Sequence, residues 1–207
     1  MKSTIKISSG GKTILKTCRS KEEFENELRV YRLELDFVPK LIAVHDGLIL
    51  ELQYIDGVTL SPETRLDFEK MGQLFTDFHQ ATTNGEYALC HIDTNPRNYL
   101  ITDKGTYYMI DFSESSYSYV EHDLVNFLLF WAACYEPNRF ESSSHLFLNS
   151  YQNKGLCDPT RNELFNEWFN AFDERRRKHN KTLCLNEEWQ KRNRNIIIDD
   201  FYRIIEG

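Results

Sequence analysis

Apolar and polar residues alternate at the start of the chain. Ile5 and Ile7, then Ile14 and Leu15, are interleaved with Thr4, Lys6, Thr13 and Lys16, and Ser9-Gly10-Gly11 stands between the two runs. A period of two sends successive side chains to opposite faces, so the pattern predicts a short β-hairpin. The period then changes. Phe24, Leu28 and Tyr31 recur at helical intervals behind Ser20, which forms capping-box spacing with Glu23, and a helix is predicted from about 21 to 34. Pro39 closes that region, and "KLIAV" and "LILELQY" around "HDG" predict a second strand pair. The predicted order up to Tyr54 is β, β, α, β, β.

Asp56-Gly57 signals a turn, and Ser61-Pro62 places a capping residue before a proline suited to the first position of a helix. Met71, Leu74, Phe75 and Phe78 mark the inner face of that helix, which is predicted to end near Thr82. "NYLIT" and "TYYMIDF" about the turn "DKG" predict a third hairpin. After Asp111 the pattern is helical to the end. The run "LVNFLLFWAACY" at 124–135 reads as a buried helix: it is shorter than the ~20 residues that span a bilayer, and Asn126 interrupts it. Leu164, Phe165, Trp168, Phe169 and Phe172 form the core stripe of a later helix.

With 207 residues, 41% of them hydrophobic, the chain can bury a real core as one generous domain or two lobes. The formal net charge of −7 argues against sequence-independent binding to nucleic acid, which draws on surplus Lys and Arg. Cys18, Cys90, Cys134, Cys157 and Cys184 are odd in number and form no CxxC pair, the usage of reduced thiols in a cytoplasmic protein. The opening "MKSTIKISSG" has no secretory apolar stretch, so neither a membrane nor an export route is expected. His45, His79 and His122 lack metal-ligand spacing and are expected to cap elements or sit at the surface. "ERRRKH" at 174–179 offers a grip for phosphate or RNA, but at the end of an amphipathic helix it reads first as a solvated face, where positive charge suits the helix dipole.

The stretch "CHIDTNPRNYLI" at 90–101 is the least core-like in the chain relative to its position, with His91, Asp93 and Asn98 set directly before an apolar strand. Thirteen residues after Asn98, Asp111 closes a second apolar strand. A loop followed by a hairpin would gather Asp93, Asn98 and Asp111 at one end of a small sheet. Oxygen ligands of this kind suit magnesium, which takes one or two carboxylates together with substrate phosphates. An ionised aspartate beside them can accept the proton of an attacking hydroxyl. Singly, each of the three is an ordinary turn residue; their joint spacing carries the reading.

These residues resemble the protein kinase-like fold, closest to its aminoglycoside phosphotransferase and choline kinase branch. That branch shows HGDxxxxN followed by an "IDF" or "IDW" strand end; the matching text here is "HIDTNPRN" and "MIDFSES". The resemblance implies an α+β, two-lobed architecture: a reduced N-terminal β-sheet lobe for nucleotide at 1–55 and a mainly helical C-terminal lobe with the catalytic loop at 56–207. It implies Asp93 as the catalytic aspartate, Asn98 and Asp111 as magnesium ligands, and Lys16, paired with Glu27, as the contact to ATP phosphates. The backbone of Gln53, Tyr54 and Ile55 becomes a candidate for adenine, His91 a structural member of the loop, and Asp123 in "EHDLVNFLLF" a brace for that loop or a plain helix N-cap. ATP, magnesium and a small-molecule hydroxyl acceptor are the expected ligands. Two departures stand out. No GxGxxG precedes Lys16, only "SSGG", and only eleven residues separate Asp111 from Asp123, too few for an activation segment. A Bud32/RIO-like protein serine kinase and a nucleotide-binding pseudokinase are the alternatives. Glu114, Glu121, Asp158, Glu163 and Glu167 would suit a cationic acceptor.

Overall fold

The computed structural model describes residues 4–8, 10–64, 66–178 and 186–205, and contacts group them into two compact units. The first comprises residues 1–61 and 96–116, the second 62–95 and 117–207. The chain therefore leaves the second unit and returns to the first between Asn95 and Pro96.

In the first unit, β1 (Thr4–Ile7) and β2 (Thr13–Thr17) form the expected hairpin, followed by α1 (Lys21–Tyr31), β3 (Leu41–His45) and β4 (Ile49–Gln53). The antiparallel sheet has the order β1-β2-β4-β3. Ser20 caps α1 by accepting from the Glu23 backbone N–H, and the Glu23 carboxylate accepts from the Arg19 N–H one residue before the cap. The helix stops at Tyr31, short of the expected 34, and Glu34 turns to positive φ. A second sheet joins β5 (Val58–Thr59), β7 (Tyr99–Ile101) and β8 (Tyr107–Met109), the last two being the expected third hairpin. The Met109 N–H donates to the Phe37 carbonyl, tying that hairpin to the loop after α1.

The register of the first sheet fixes what shares a face. Cross-strand partners Ile5, Lys16, Leu50 and Val44 form one row, and Ile7, Ile14, Leu52 and Leu41 the next. Paired residues point to the same side of an antiparallel sheet. Leu50 and Leu52 are buried there, whereas Ile5 and Ile7 are each 61% exposed.

The second unit holds α2 (Phe68–Thr82), the strand β6 (Ala88–Cys90), α3 (Val120–Ala132), α4 (Pro137–Ser150), α5 (Glu163–Lys178) and α6 (Glu187–Ile205). The short strand β9 (Ser116–Ser118), which pairs with β6, interrupts the helical run expected after Asp111. Helix α2 does not begin at Ser61-Pro62: Asp67 is its N-cap, accepting from the Lys70 N–H, so the cap nearest the apolar face prevails over the earlier Ser-Pro signal. Phe75, Phe127 and Phe147 from three helices form the centre of the core, with ring centroids 4.8–5.4 Å apart. Gly72 permits α2 to touch α4, because a Cβ there would overlap the Phe147 carbonyl oxygen and the Ser150 hydroxyl. Asn193 of α6 donates to the carbonyls of Ala132 and Tyr135, closing the C-terminus of α3. The stripe on α5 is core, with Phe165, Phe169 and Phe172 buried. Among the described residues no helix is long and apolar enough to cross a membrane, and the four described cysteines are free. Cys184 and His179 lie outside the described residues.

Candidate functional site

Lys16 sits on β2 and its side chain is buried, 5% exposed. Its ammonium donates to Glu27 of α1 and, at 2.7 Å, to the Asp111 carboxylate. The sequence expectation of a Lys16–Glu27 pair is thus met by geometry, with Asp111 joining it. Burial pulls the lysine pKa down, but the Glu27 and Asp111 carboxylates outweigh that and hold it above the ordinary value. Glu27 has no exposed surface; burial pushes its carboxyl up to about 7 against the pull of Lys16, and the Asp111 charge adds to the push. Two carboxylates therefore share one ammonium, an arrangement in which a second cation near Asp111 would relieve like-charge repulsion.

Helix α1 holds this cluster in three ways. Asn26 donates to the Ser113 carbonyl at 3.0 Å, Tyr31 packs edge-on against Phe112 with centroids 5.7 Å apart, and Glu27 takes Lys16. The segment Asp111-Phe112-Ser113 is thereby fastened to the helix that carries the lysine's partner. Asp111 has φ 64°, a left-handed backbone that Asp tolerates better than most residues, and its side chain is 45% exposed. Asn98 ends a single turn at Pro96–Asn98, and its carbonyl accepts from the Ile110 N–H at 2.9 Å. Asn98 and Asp111 accordingly stand at the same end of the β7–β8 hairpin, as their spacing predicts.

Gln53, Tyr54 and Ile55 leave the end of β4. The N–H of Gln53 donates to the Lys40 carbonyl and that of Tyr54 to the Lys12 carbonyl. Those two donors are engaged within the unit, which narrows the backbone available to a base to the carbonyls and to Ile55. Gly11, at φ 67°, closes the β1–β2 turn with its N–H on the Ser8 carbonyl. Ser9, within the "SSGG" stretch, lies outside the described residues.

Asp93, His91 and Asp123 belong to the second unit. Asp123, wholly buried, accepts from the backbone N–H groups of His91 at 2.6 Å and Ile92 at 2.8 Å. It lies in the first turn of α3 behind the N-cap Tyr119, so it braces the loop and is not the N-cap. His79 is not at the surface. It is buried on α2, with Nε2 3.2 Å from the Asp123 carboxylate and Nδ1 3.0 Å from the Tyr151 hydroxyl. Nε2–H donating to Asp123 and Nδ1 accepting from Tyr151 is the tautomer that satisfies both. Burial alone would raise the Asp123 carboxyl, but the hydrogen bonds from His79 and the His91 N–H hold it below the ordinary carboxylate value. Cys90 lies with His79 and Asp123 in a buried group whose ligand atoms fall within 4.8 Å of one another. Burial pushes its thiol well up, Sγ donates to the Ser118 and Tyr119 carbonyls, and Asp123 is occupied by N–H donors, so the group is a hydrogen-bonded brace and not a metal centre.

The brace leaves Ile92 at φ 66° and Asp93 on the outer side of the loop, its side chain 29% exposed. The HGD pattern has glycine where Ile92 stands, and a left-handed backbone is the reason glycine suits it. An L-residue there carries about 1–2 kcal/mol of strain, while glycine in the unfolded chain forfeits about 0.5–1 kcal/mol. Ile92→Gly is therefore expected to unfold in urea within about 1 kcal/mol of wild type; a loss above about 2 kcal/mol would show that the half-buried side chain, not the backbone, shapes the loop. The Asn126 amide donates to the Ile92 carbonyl at 3.3 Å, and Arg175 of α5 reaches the same carbonyl at 3.5 Å and the Asp93 carboxylate at 3.7 Å.

Sequence reasoning missed His79 and Asn126, and read Arg175 first as part of a solvated helix end. A signal existed for the first two: His79 follows Phe75 by four residues on the inner face of α2, and Asn126 is the one amide inside the most apolar helix.

No protein-family model matches the chain, and no curated protein matches it by sequence. Solved structures do match in fold. The choline kinase LicA from Streptococcus pneumoniae aligns with a TM-score of 0.57 at 14% identity, over 97% of this chain and 89% of that one. A Plasmodium vivax ethanolamine kinase aligns at 0.54 and 13% identity, over 81% and 70%. APH(2")-IIa, in its complex with gentamicin, aligns at 0.52 and 13% identity, over 99% and 88%. The chain has the protein kinase-like fold that these small-molecule kinases share, with a small N-terminal sheet and a helical C-terminal part.

Proposed function

We propose that the protein is an ATP- and magnesium-dependent phosphotransferase that moves the γ-phosphate to a hydroxyl of a small molecule. The observation that carries this reading is the buried Lys16 ammonium held by Glu27 and by the half-exposed Asp111 at the end of the β7–β8 hairpin. A lysine fixed in that way is a point charge for phosphate. Support also comes from the fold, shared with kinases named for choline, ethanolamine and, in a gentamicin complex, an aminoglycoside, and from a LicA structure that holds AMP, aligned at a TM-score of 0.51 and 15% identity.

The donor set fits magnesium: Asp111 offers a solvent-facing carboxylate and Asn98 an amide oxygen at the same hairpin end, both hard oxygen ligands. Bound there, the ion would neutralise charge on the β- and γ-phosphates. Lys16 would hold phosphate oxygens, steadied by Glu27. Ile5 and Ile7, exposed on the face that carries Lys16, would cover the base, with Ile55 and the carbonyls of Gln53 and Tyr54 facing its edge. Asp93 would accept a hydrogen bond from the acceptor hydroxyl and take its proton as transfer proceeds. The Asp123 brace fixes Asp93 through two backbone N–H groups, so most of the rate would come from positioning and charge stabilisation. The eleven residues between Asp111 and Asp123 leave no platform for an extended peptide, which favours a small acceptor over a protein.

The test is a thermal-shift titration with ATP, with and without magnesium, on wild type and Asp111→Ala. A ligand at 100 times its Kd stabilises the native state by about 2.7 kcal/mol. Wild type is expected to show a rise of several degrees that needs magnesium and vanishes in Asp111→Ala. No rise in wild type under either condition rules out the nucleotide, and a rise retained by Asp111→Ala removes that residue from the metal.

A further inference from the structure

The last turn of α5 carries Arg175, Arg176, Arg177 and Lys178, and their surroundings differ. Arg177 and Lys178 are exposed, as a solvated helix end should be. Arg176 lies over the rings of Phe130 and Phe172, 5.8 and 5.7 Å from their centroids, and belongs to the packing of α3 against α5. Arg175 turns to the loop instead. Its Nη1 is 3.5 Å from the Ile92 carbonyl oxygen and 3.7 Å from the Asp93 carboxylate, and 36% of the side chain is open to solvent. The guanidinium is thus anchored at the backbone of the loop and stands next to the one carboxylate that would meet the acceptor.

We infer that the phosphoryl acceptor carries a carboxylate or phosphate a few bonds from its reacting hydroxyl, and that Arg175 is the residue that selects it. This rests on Asp93 being the group that meets the hydroxyl. A hydroxyl hydrogen-bonded to Asp93 lies about 3 Å from it, so substituents one or two carbons away fall within reach of a guanidinium already in contact with the same carboxylate. Arginine presents a planar fork of donors that matches a carboxylate or phosphate in bidentate fashion. An ammonium in that position would face like charge instead.

The four acidic residues of this unit that would suit a cation, Glu121, Asp158, Glu163 and Glu167, do not offset this. Glu121 is buried and accepts from the Asp158 N–H at 2.7 Å and from Arg161 at 3.2 Å. Asp158 receives the Thr160 N–H and hydroxyl and lies 3.7 Å from the same arginine. Both carboxylates are therefore tied within the fold to Arg161 and to backbone donors. Glu163 and Glu167 stand on α5 itself, and even the nearer, Glu167, is eight residues from Arg175. Eight residues is about 12 Å along a helix, beyond the ~8 Å over which exposed charges act at physiological salt. Arg175 is a cation 3.7 Å from the Asp93 carboxylate, although the chain as a whole is acidic.

The experiment is a calorimetric titration of the whole chain with D-glycerate, glycerol 3-phosphate, glycerol, ethanolamine and choline, run with and without magnesium and a non-hydrolysable ATP analogue. The same set is then assayed for transfer from ATP. At least tenfold tighter binding, or higher kcat/KM, is expected for one of the two anions over glycerol and both amines. D-glycerate in front identifies a carboxylate acceptor, and glycerol 3-phosphate in front a phosphate-bearing one. Arg175→Ala, with its fold verified by circular dichroism, is expected to bring the anion-to-glycerol ratio towards one through KM more than kcat, and Arg175→Lys to recover part of it. Ethanolamine or choline ahead of both anions, a ratio indifferent to Arg175→Ala, or no binding by either anion overturns the inference. Failure of the phosphotransferase reading looks different: the magnesium-dependent ATP shift itself is then missing.

Discussion

Asp93→Ala is expected to lower transfer from ATP by about 10²–10⁴-fold, the range that a positioned proton acceptor contributes, while the magnesium-dependent thermal shift with ATP stays close to wild type. The separation follows from where the residues stand. Lys16, Glu27, Asn98 and Asp111 belong to one compact unit and share a hydrogen-bonded cluster or a hairpin end. Asp93 belongs to the other, on a loop braced by Asp123 and flanked by Arg175. In the proposed function, removing it would delete the partner of the acceptor hydroxyl and leave Lys16 with Glu27 and Asp111. Single-turnover transfer measured beside the thermal shift gives both quantities from one preparation. Wild-type turnover in Asp93→Ala would sink the assignment, and a lost nucleotide shift would mean that the loop and the lysine cluster act as a single binding unit.

Asp123→Ala carries the second large effect, on stability. The substitution leaves the His91 and Ile92 N–H groups and the His79 Nε2–H buried without their acceptor. Orphaning a buried donor costs about 1–3 kcal/mol, so a loss of about 3–5 kcal/mol is expected, of the order seen when one partner of a buried charged pair is removed. That is a large share of the roughly 5–15 kcal/mol that holds a domain folded. Asp123→Asn, which keeps one acceptor oxygen, is expected to lose less and to remain folded with slowed transfer. Urea midpoints at constant slope measure the first effect, and a loss below about 1 kcal/mol for Asp123→Ala would show that other groups carry the loop. The pH dependence has a definite sign. Because the native Asp123 carboxyl sits below its ordinary 3.8, its contribution is fully present above that pH and is lost as pH falls through the lower native value.

Much of the architecture was legible because it rests on local rules. Alternation over Ile5–Ile7 and Ile14–Lys16, capping at Ser20, and the turn at "DKG" each act within a few residues and were correct. The misplaced start of α2 was also local: two capping signals competed, and only packing of the Phe68–Phe78 face decided for Asp67 over Ser61. The early end of α1 at Tyr31 followed from the reversal at Glu34, for which no glycine or proline gave warning. His79 was misjudged because spacing along a chain does not say which helix will lie beside it. Its partners, Tyr151 and Asp123, are 72 and 44 residues away.

By itself, the sequence determined the element order of the N-terminal sheet, the hairpin carrying Asn98 and Asp111, and the candidacy of Asp93, because polar residues placed against apolar strands leave a mark that local periodicity exposes; Lys16, Glu27 and Asp123 became candidates through the resemblance to the kinase-like fold. Tertiary structure alone decided that one ammonium serves both Glu27 and Asp111, that His79 and Tyr151 stand behind the Asp123 brace, and that Arg175 turns from a solvated helix end to Asp93. Those are relations between side chains brought together from distant positions. Their energies depend on burial and on angstrom-scale separation, which linear spacing does not encode.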